Sequence, residues 1–180
     1  MIRITGGLFR GRIIKTPKGL RTRPSTDFLR KAVFDILQQE ISHAAFLDLF
    51  AGSGAFGLEA LSRGAAKAVF LDHHPAAIKC IKQNIQTLHL NDRSEVVYAD
   101  AKKWVKKNKA VFDIAYIDPP YENTVIYSQI MQSFDLLKTA KILLVEANAE
   151  KLPEPLLNNL ICSDIRKYGS SYVHIYRIRE

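Results

Sequence analysis

The chain has 180 residues, 47% hydrophobic and 24% charged, a balance that excludes disordered, collagen-like and membrane-embedded classes and fits one globular domain with room for a small appendage. It is long enough to bury roughly 70% of its unfolded surface without disulfides or a structural metal, and its two cysteines, Cys80 and Cys162, suit a reducing cytosol. The formal charge of +8 is confined to one end: residues 1–31 hold nine basic residues and a single acid, Asp27, while the rest holds 17 of each sign.

A neutral body with a cationic arm calls for a polyanionic partner gripped at one end, and nucleic acid is the expected one. No apolar run approaches the roughly 20 residues of a membrane span, and the N-terminus has no apolar core of a signal peptide. The expectation is a soluble, cytoplasmic protein without membrane contact. The five histidines have no metal-ligand spacing, so no metal is expected.

In chain order, residues 2–16 (IRITGGLFRGRIIKT) alternate partly and are broken by glycines, which predicts a small hairpin arm. Residues 17–24 (PKGLRTRP) read as a loop, and the domain is expected to divide into a basic arm over 1–24 and a main domain over 25–180. Ser25 or Thr26 caps a helix that buries Leu29, Ala32, Val33, Ile36 and Leu37 on one face. Apolar strands are then expected near 45–50, 68–72, 95–98, 112–117 and 141–146, alternating with helices near 55–63, 75–88, 100–107 and 124–138. Pro75 suits the first turn of its helix and Gly64 the end of the one before. Such βα alternation predicts an α/β fold with a mostly parallel sheet covered by helices on both faces. The tail, 160–166 and 171–179 joined at Gly169, reads as an antiparallel pair at one sheet edge. Trp104 is expected to pack against the domain, and the run KKWVKKNK (102–109) to form a solvated helix face.

In such sheets the ligand lies beyond the carboxyl ends of the strands. Asp48, Asp72 and Asp118 end strands there, and Asp100 follows another. Residues 48–57 (DLFAGSGAFG) set Gly52, Gly54 and Gly57 in a G-x-G-x-x-G spacing, with Asp72 twenty residues past Gly52. On spacing alone a nicotinamide-dependent oxidoreductase is a serious rival. Asp48 argues against it, since a carboxylate at that strand end would face a pyrophosphate. S-adenosylmethionine presents an ammonium and a sulfonium instead. Asp72 is placed to accept the ribose hydroxyls, and Asp100 to accept from the adenine amine.

Asp118-Pro119-Pro120-Tyr121 follows the apolar strand FDIAYI. Two prolines stiffen the backbone and remove two N–H donors, leaving a turn rich in acceptors. The Asp118 carboxylate and the Pro119 carbonyl can take both hydrogens of an exocyclic amine and aim its lone pair at a methyl donor, while Tyr121 stacks on the base. Methylation at a pyrimidine carbon needs a cysteine nucleophile, and neither cysteine is near a strand-end loop. Adenine N6 and guanine N2 both remain open on these residues.

IRITGGLFRGRII, RPSTDFLRKAVFDIL, DLFAGSGAFGLEALSRGA, Asp72 in its loop, the Asp100-Ala101 pair, DPPY and KYGSSYVHIYR together resemble the RsmD family of bacterial methyltransferases, which modify guanine N2 in 16S rRNA. The resemblance spans nearly the whole chain, and the RPSTD segment narrows it to this family. It implies a Rossmann-like class I fold with a seven-stranded sheet, S-adenosylmethionine as cofactor, and rRNA within an assembled or partly assembled small subunit as partner. It assigns cofactor binding to Asp48, Phe50, Ala51, Gly52, Gly54, Asp72, His73, Asp100 and Ala101, and catalysis to Asp118, Pro119, Pro120 and Tyr121. RNA contact falls to Arg3, Arg10, Arg12, Lys15, Arg21, Arg23, Thr26 and Arg30. Phe28 stands where the family commonly has an arginine, leaving Arg30 as the nearby cation, and Asp72-His73 replaces a usual Glu-Lys pair.

Overall fold

In the computed structural model, which describes residues 2–17, 27–108, 110–119, 140–152 and 160–178, the apolar runs become the centre of one mixed sheet. A two-stranded antiparallel ribbon, β1 (Ile2–Arg3) with β2 (Ile13–Ile14), precedes it. Strands β3 (Ala45–Asp48), β4 (Lys67–Asp72), β5 (Ser94–Tyr98), β6 (Phe112–Ile117), β7 (Ala140–Ala147), β8 (Leu160–Tyr168) and β9 (Ser171–Ile178) follow. They form a seven-stranded sheet in the order β5-β4-β3-β6-β7-β9-β8. The first five in that order pair parallel, and β9 enters antiparallel between β7 and β8. The chain runs outward from β3 to β5 and then returns to the other side of β3 at β6. The reversal sets the switch point between β3 and β6, where the carboxyl ends of the strands open a crevice.

Helices α1 (Asp27–Ile36), α2 (Ala55–Ser62), α3 (Pro75–Thr87) and α4 (Ala101–Lys107) cover the sheet. Because side chains alternate along a strand, each strand feeds two cores. Phe46, Phe70, Ile114 and Leu144 join α1, α2 and α3 on one face. Leu47, Val69, Ala115 and Leu143 join Val105 of α4 on the other, where Trp104 packs beside Phe112 with ring centres 6.3 Å apart. Pro75 begins α3, and Gly64 follows α2 with φ 107°. The helix expected near 124–138 and the cap at Ser25 or Thr26 lie outside the described residues. Among the described residues, no helix is long and apolar enough to cross a membrane.

The described part of the basic arm is not a separate body. Ile2, Ile4 and Ile14 are buried in the same core as α1 and α2, each burial worth roughly 1.5–3 kcal/mol. Its backbone is fastened to the end of α2: Leu8 N donates to Ser62 O at 2.8 Å and Phe9 N to Ser62 Oγ at 2.9 Å, while Ser62 Oγ donates to Gly6 O at 2.6 Å. The boundary expected at residue 24 falls outside the described residues.

Candidate active site

The sharp turn between β3 and α2 is strapped across the switch point. Leu49 N donates to Tyr116 O of β6 at 3.0 Å, and Ala51 N donates to Leu71 O of β4 at 2.9 Å. Ala51 is therefore buried and Phe50 packs partly against the second core. Gly52 then turns with φ 53°, in the left-handed region that favours glycine, and a Cβ added there would meet nothing within 4 Å. The loop thus presents bare backbone to open space. Gly54 caps α2 with φ 79°. Gly57 has a different reason to lack a side chain: a Cβ there would lie 2.2 Å from the Phe70 ring, so helix and strand could not pack this closely.

Two acids brace this turn. Asp72 Oδ2 accepts from Gly52 N at 2.9 Å, and its Oδ1 accepts from His74 N at 2.8 Å. The carboxylate is held at the mouth of the glycine turn, its remaining lone pairs suited to a pair of hydroxyls, and His73 stands exposed beside it with Nδ1 3.8 Å from Oδ1. Asp48 is 2% exposed and accepts from Gly57 N at 3.1 Å. Burial pushes its carboxyl up to about 7, partly offset by the Gly57 N–H, with the charge of Asp72 adding to the rise. A buried carboxyl with one hydrogen bond favours a cation at that spot.

Asp100 is exposed and caps α4, its Oδ1 accepting from Lys103 N at 3.0 Å, while Ala101 is buried beneath it. Ala99 N donates to Asp72 O at 3.1 Å, which ties this third loop to the second. The open backbone at Gly52, the Asp72 carboxylate at the mouth of the turn and the desolvated Asp48 fit the chemistry of S-adenosylmethionine, which carries ribose hydroxyls and a cationic end.

Asp118 and the buried Pro119 leave β6 one strand from Asp48, which pairs in register with Tyr116. Pro120 and Tyr121 lie outside the described residues. Below Asp118, the wholly buried Tyr116 donates its hydroxyl to Glu146 at the end of β7 and stacks on Phe56, with ring centres 3.6 Å apart. Burial and the neighbouring Glu146, Asp118 and Asp48 carboxylates hold the Tyr116 phenol well above its ordinary range.

On the arm, Arg3, Arg10, Arg12 and Lys15 are exposed, whereas Arg21, Arg23 and Thr26 lie outside the described residues. Arg30 requires a correction. Its side chain is wholly buried, paired with Glu59 at 3.2 Å and Asp27 at 2.9 Å, and bonded to Arg3 O. A guanidinium so enclosed braces the fold and offers nothing to a phosphate. Phe28, exposed, meets the Tyr168 ring edge-on instead.

Three polar side chains emerged only in three dimensions. Glu59 gathers Thr5, Arg30 and Arg63, Asn84 joins Lys15 to Ser53 of the glycine turn, and Glu146 receives Tyr116. A lone acid in the apolar helix AFGLEALS and an acid closing the strand KILLVE were signals for two of them. Nothing in the sequence around Asn84 marks it.

The family described as "Conserved hypothetical protein 95" matches residues 2–177. The chain is 34% identical to Ribosomal RNA small subunit methyltransferase D of Escherichia coli K12 over 151 residues, 83% of this chain and 76% of that one. It is 32% identical to YlbH of Bacillus subtilis over 99% of this chain and all of that protein. The solved structure of Escherichia coli yhhF superposes with a TM-score of 0.88 at 31% identity, covering 99% of this chain and 98% of that one. The nicotinamide reading of the glycine spacing is therefore set aside, and the chain belongs to the RsmD family of rRNA methyltransferases.

Proposed function

We propose that this enzyme methylates the exocyclic N2 amine of a guanine in small-subunit rRNA, using the strand-end acids to hold the cofactor and the segment Asp118-Pro119-Pro120-Tyr121 to hold the base. The observation that carries this reading is the register at the switch point: Asp48 pairs with Tyr116, so the glycine turn and the turn beginning at Asp118 leave adjacent strands. A cofactor seated on the first would have its reactive end beside the second.

When bound, S-adenosylmethionine supplies a methyl group activated by its sulfonium. Asp72 accepts the ribose hydroxyls beside His73, Asp100 and Ala101 border the adenine, and Asp48 with Phe50, Ala51, Gly52 and Gly54 receives the methionine end. An exocyclic amine is a poor nucleophile because its lone pair is delocalised into the ring. The Asp118 carboxylate accepts one amine hydrogen and the Pro119 carbonyl the other, drawing nitrogen toward tetrahedral geometry, and Tyr121 stacks on the base. Positioning supplies most of the rate in such a displacement. Exposed Arg3, Arg10, Arg12 and Lys15, followed in the chain by Arg21, Arg23 and Thr26, grip the RNA backbone. The substrate is rRNA in an assembled or partly assembled small subunit, in the cytoplasm.

The test is digestion of small-subunit rRNA to nucleosides after reaction with labelled cofactor. N2-methylguanosine is expected. N6-methyladenosine would transfer the same site to the other amine that such a turn serves, and unlabelled rRNA would overturn the reading.

A further inference from the structure

An open groove of about 450 Å³ runs between α3 and the edge strand β5, lined by Pro75, Ile78, Lys79, Lys82, Gln86 and Tyr98, with Gln83 at its rim. Its size is that of small-ligand clefts. Tyr98 is 64% exposed although it ends a strand, and it belongs to neither hydrophobic core. No lining residue is acidic, and α3 carries Lys79 and Lys82 with no carboxylate along its length. An exposed aromatic ring flanked by lysines on an acid-free helix is complementary to nucleic acid, with the ring taking a base and the lysines the phosphates.

The arm docks on the same helix that walls the groove. Lys15 N donates to Asn84 Oδ1 at 2.9 Å, and Asn84 Nδ2 donates back to Lys15 O at 3.0 Å. With about 100° of turn per residue, Asn84 lies on one flank of α3 and Lys82 and Gln86 on the other. Lys79 and Gln83 lie on the ridge between them. The exposed ridge of α3 thus joins the basic arm to the groove. Tyr98 pairs in register with Asp72, and β5 stands three strand spacings from β6, roughly 14 Å. An occupant of the groove is therefore not the base held at Asp118.

We infer that this groove seats an unpaired nucleotide of the rRNA flanking the target, its base stacked on Tyr98 and its phosphates held by Lys79 and Lys82. This inference rests on the rRNA substrate proposed above. The protein thereby grips RNA at two places, arm and groove, and rejects RNA whose flanking nucleotide is locked in a duplex.

The test uses the full-length protein, a short oligouridine as probe and isolated small subunits as substrate. Ultraviolet irradiation with the oligouridine is expected to give a uridine adduct on the peptide containing Tyr98. Tyr98→Ala should weaken oligouridine binding about tenfold and raise KM for small subunits with kcat nearly unchanged. Lys79→Ala/Lys82→Ala should flatten the salt slope of log K by about 1.4, two single-strand phosphate contacts. Cofactor affinity and Tm serve as folding controls.

If these variants keep wild-type affinity, slope and KM while Arg10→Ala/Arg12→Ala loses them, the groove is not an RNA contact and the inference falls. If KM for subunits rises but oligouridine binding does not change, the groove holds a ribosomal protein and the RNA assignment is equally overturned. Failure of the wild type to methylate small-subunit rRNA would instead defeat the proposed function.

Discussion

Arg30 of α1 and Glu59 of α2 form an ion pair, Nε to Oε2 at 3.2 Å, from which solvent is wholly excluded at both side chains. Glu59 also accepts from Thr5 N at 2.8 Å, Thr5 Oγ1 at 2.7 Å and Arg63 Nε at 2.8 Å. One carboxylate thus joins the arm, the first helix and the helix that follows the glycine turn. Removing one partner of a buried pair leaves an uncompensated charge, which costs about 3–5 kcal/mol. Glu59→Ala and Arg30→Met should each lower stability on that scale in chemical denaturation. The double change Arg30→Met/Glu59→Leu should recover part of it, because neither wholly buried charge then remains and Arg63 keeps Asp35. A loss below about 1 kcal/mol for either single variant would contradict this role.

The buried isoleucines of the arm change how its charge must be tested. Deleting residues 1–24 would strip Ile2, Ile4 and Ile14 from the core and Thr5 from Glu59, so the truncated protein should not fold. Arg10 and Arg12 are exposed in the turn between β1 and β2 and can be neutralised without that damage. Arg10→Ala/Arg12→Ala should leave Tm and cofactor affinity nearly unchanged. RNA affinity should fall, and the slope of log K against log salt should flatten by about 1.4–1.8 if both touch phosphate. An unchanged slope would mean that these charges are only solvated.

Asp48 makes the fold and the cofactor site respond to pH. Its carboxyl rises from an ordinary 3.8 to about 7 because it is buried. The folded protein therefore binds this proton more tightly than the unfolded chain does. The stability it confers is fully present below pH 4 and is lost as pH rises through 7. A cofactor cation favours the ionised form, so S-adenosylmethionine affinity should increase from pH 5 to 7 and level off above it. Asp48→Asn should flatten both profiles. Calorimetry in buffers of different ionisation enthalpy checks the binding arm: proton release below pH 7 is expected, and its absence would remove Asp48 from this role.

Much of the site's scaffold was legible because it lies at ends. Asp48, Asp72 and Asp118 interrupt apolar runs at the point where a parallel strand must stop, and the glycines between Asp48 and α2 announce a turn. Arg30 sits beside Lys31 at the end of the basic N-terminal stretch, where its charge suggests a surface position. On the helix, however, it falls between Leu37 and Phe34 in angle, inside the arc that packs inward. Glu59 and Asn84 reach partners more than 50 residues away in sequence: the lone acid in an apolar helix marks Glu59 as special but not what it holds, and no local pattern records Asn84. The arm read as an appendage because its charges are conspicuous, whereas its three buried isoleucines are spaced among glycines and arginines and give no clean period.

Asp118 should reveal itself in kinetics. If its carboxylate acts on the amine mainly in the transition state, Asp118→Ala should lower kcat and kcat/KM together while RNA and cofactor still bind. A single-turnover methyl-transfer assay with preformed complex measures this directly. Near-normal rates would mean that the Pro119 carbonyl alone positions the base.

Asn84 is the point at which the arm and the cofactor turn meet. It is 3% exposed, and its Nδ2 donates both to Lys15 O and to Ser53 O, each at 3.0 Å, while its Oδ1 accepts from Lys15 N at 2.9 Å. Ser53 lies between Gly52 and Gly54, so this amide fixes the part of the turn that has no side-chain packing of its own. Asn84→Ala would leave the buried Ser53 O without this partner, at about 1–3 kcal/mol, and would free the part-buried Lys15 N. Cys80 Sγ, which also donates to Lys15 O at 3.1 Å, cannot reach both groups. Asn84→Asp keeps the size and the acceptor but sets a carboxylate against two carbonyl oxygens, and it should be at least as damaging. Both variants should weaken S-adenosylmethionine binding about tenfold, the equivalent of 1.4 kcal/mol at the turn. Hydrogen exchange at Gly52, Ser53 and Gly54 should quicken, while kcat at saturating cofactor stays close to wild type. Cys80→Ala should change little and serves as the control. If Asn84→Ala lowers Tm but leaves cofactor affinity and exchange at the turn untouched, Asn84 only fastens the arm, and the turn holds its shape through Asp72 and Ala51 alone.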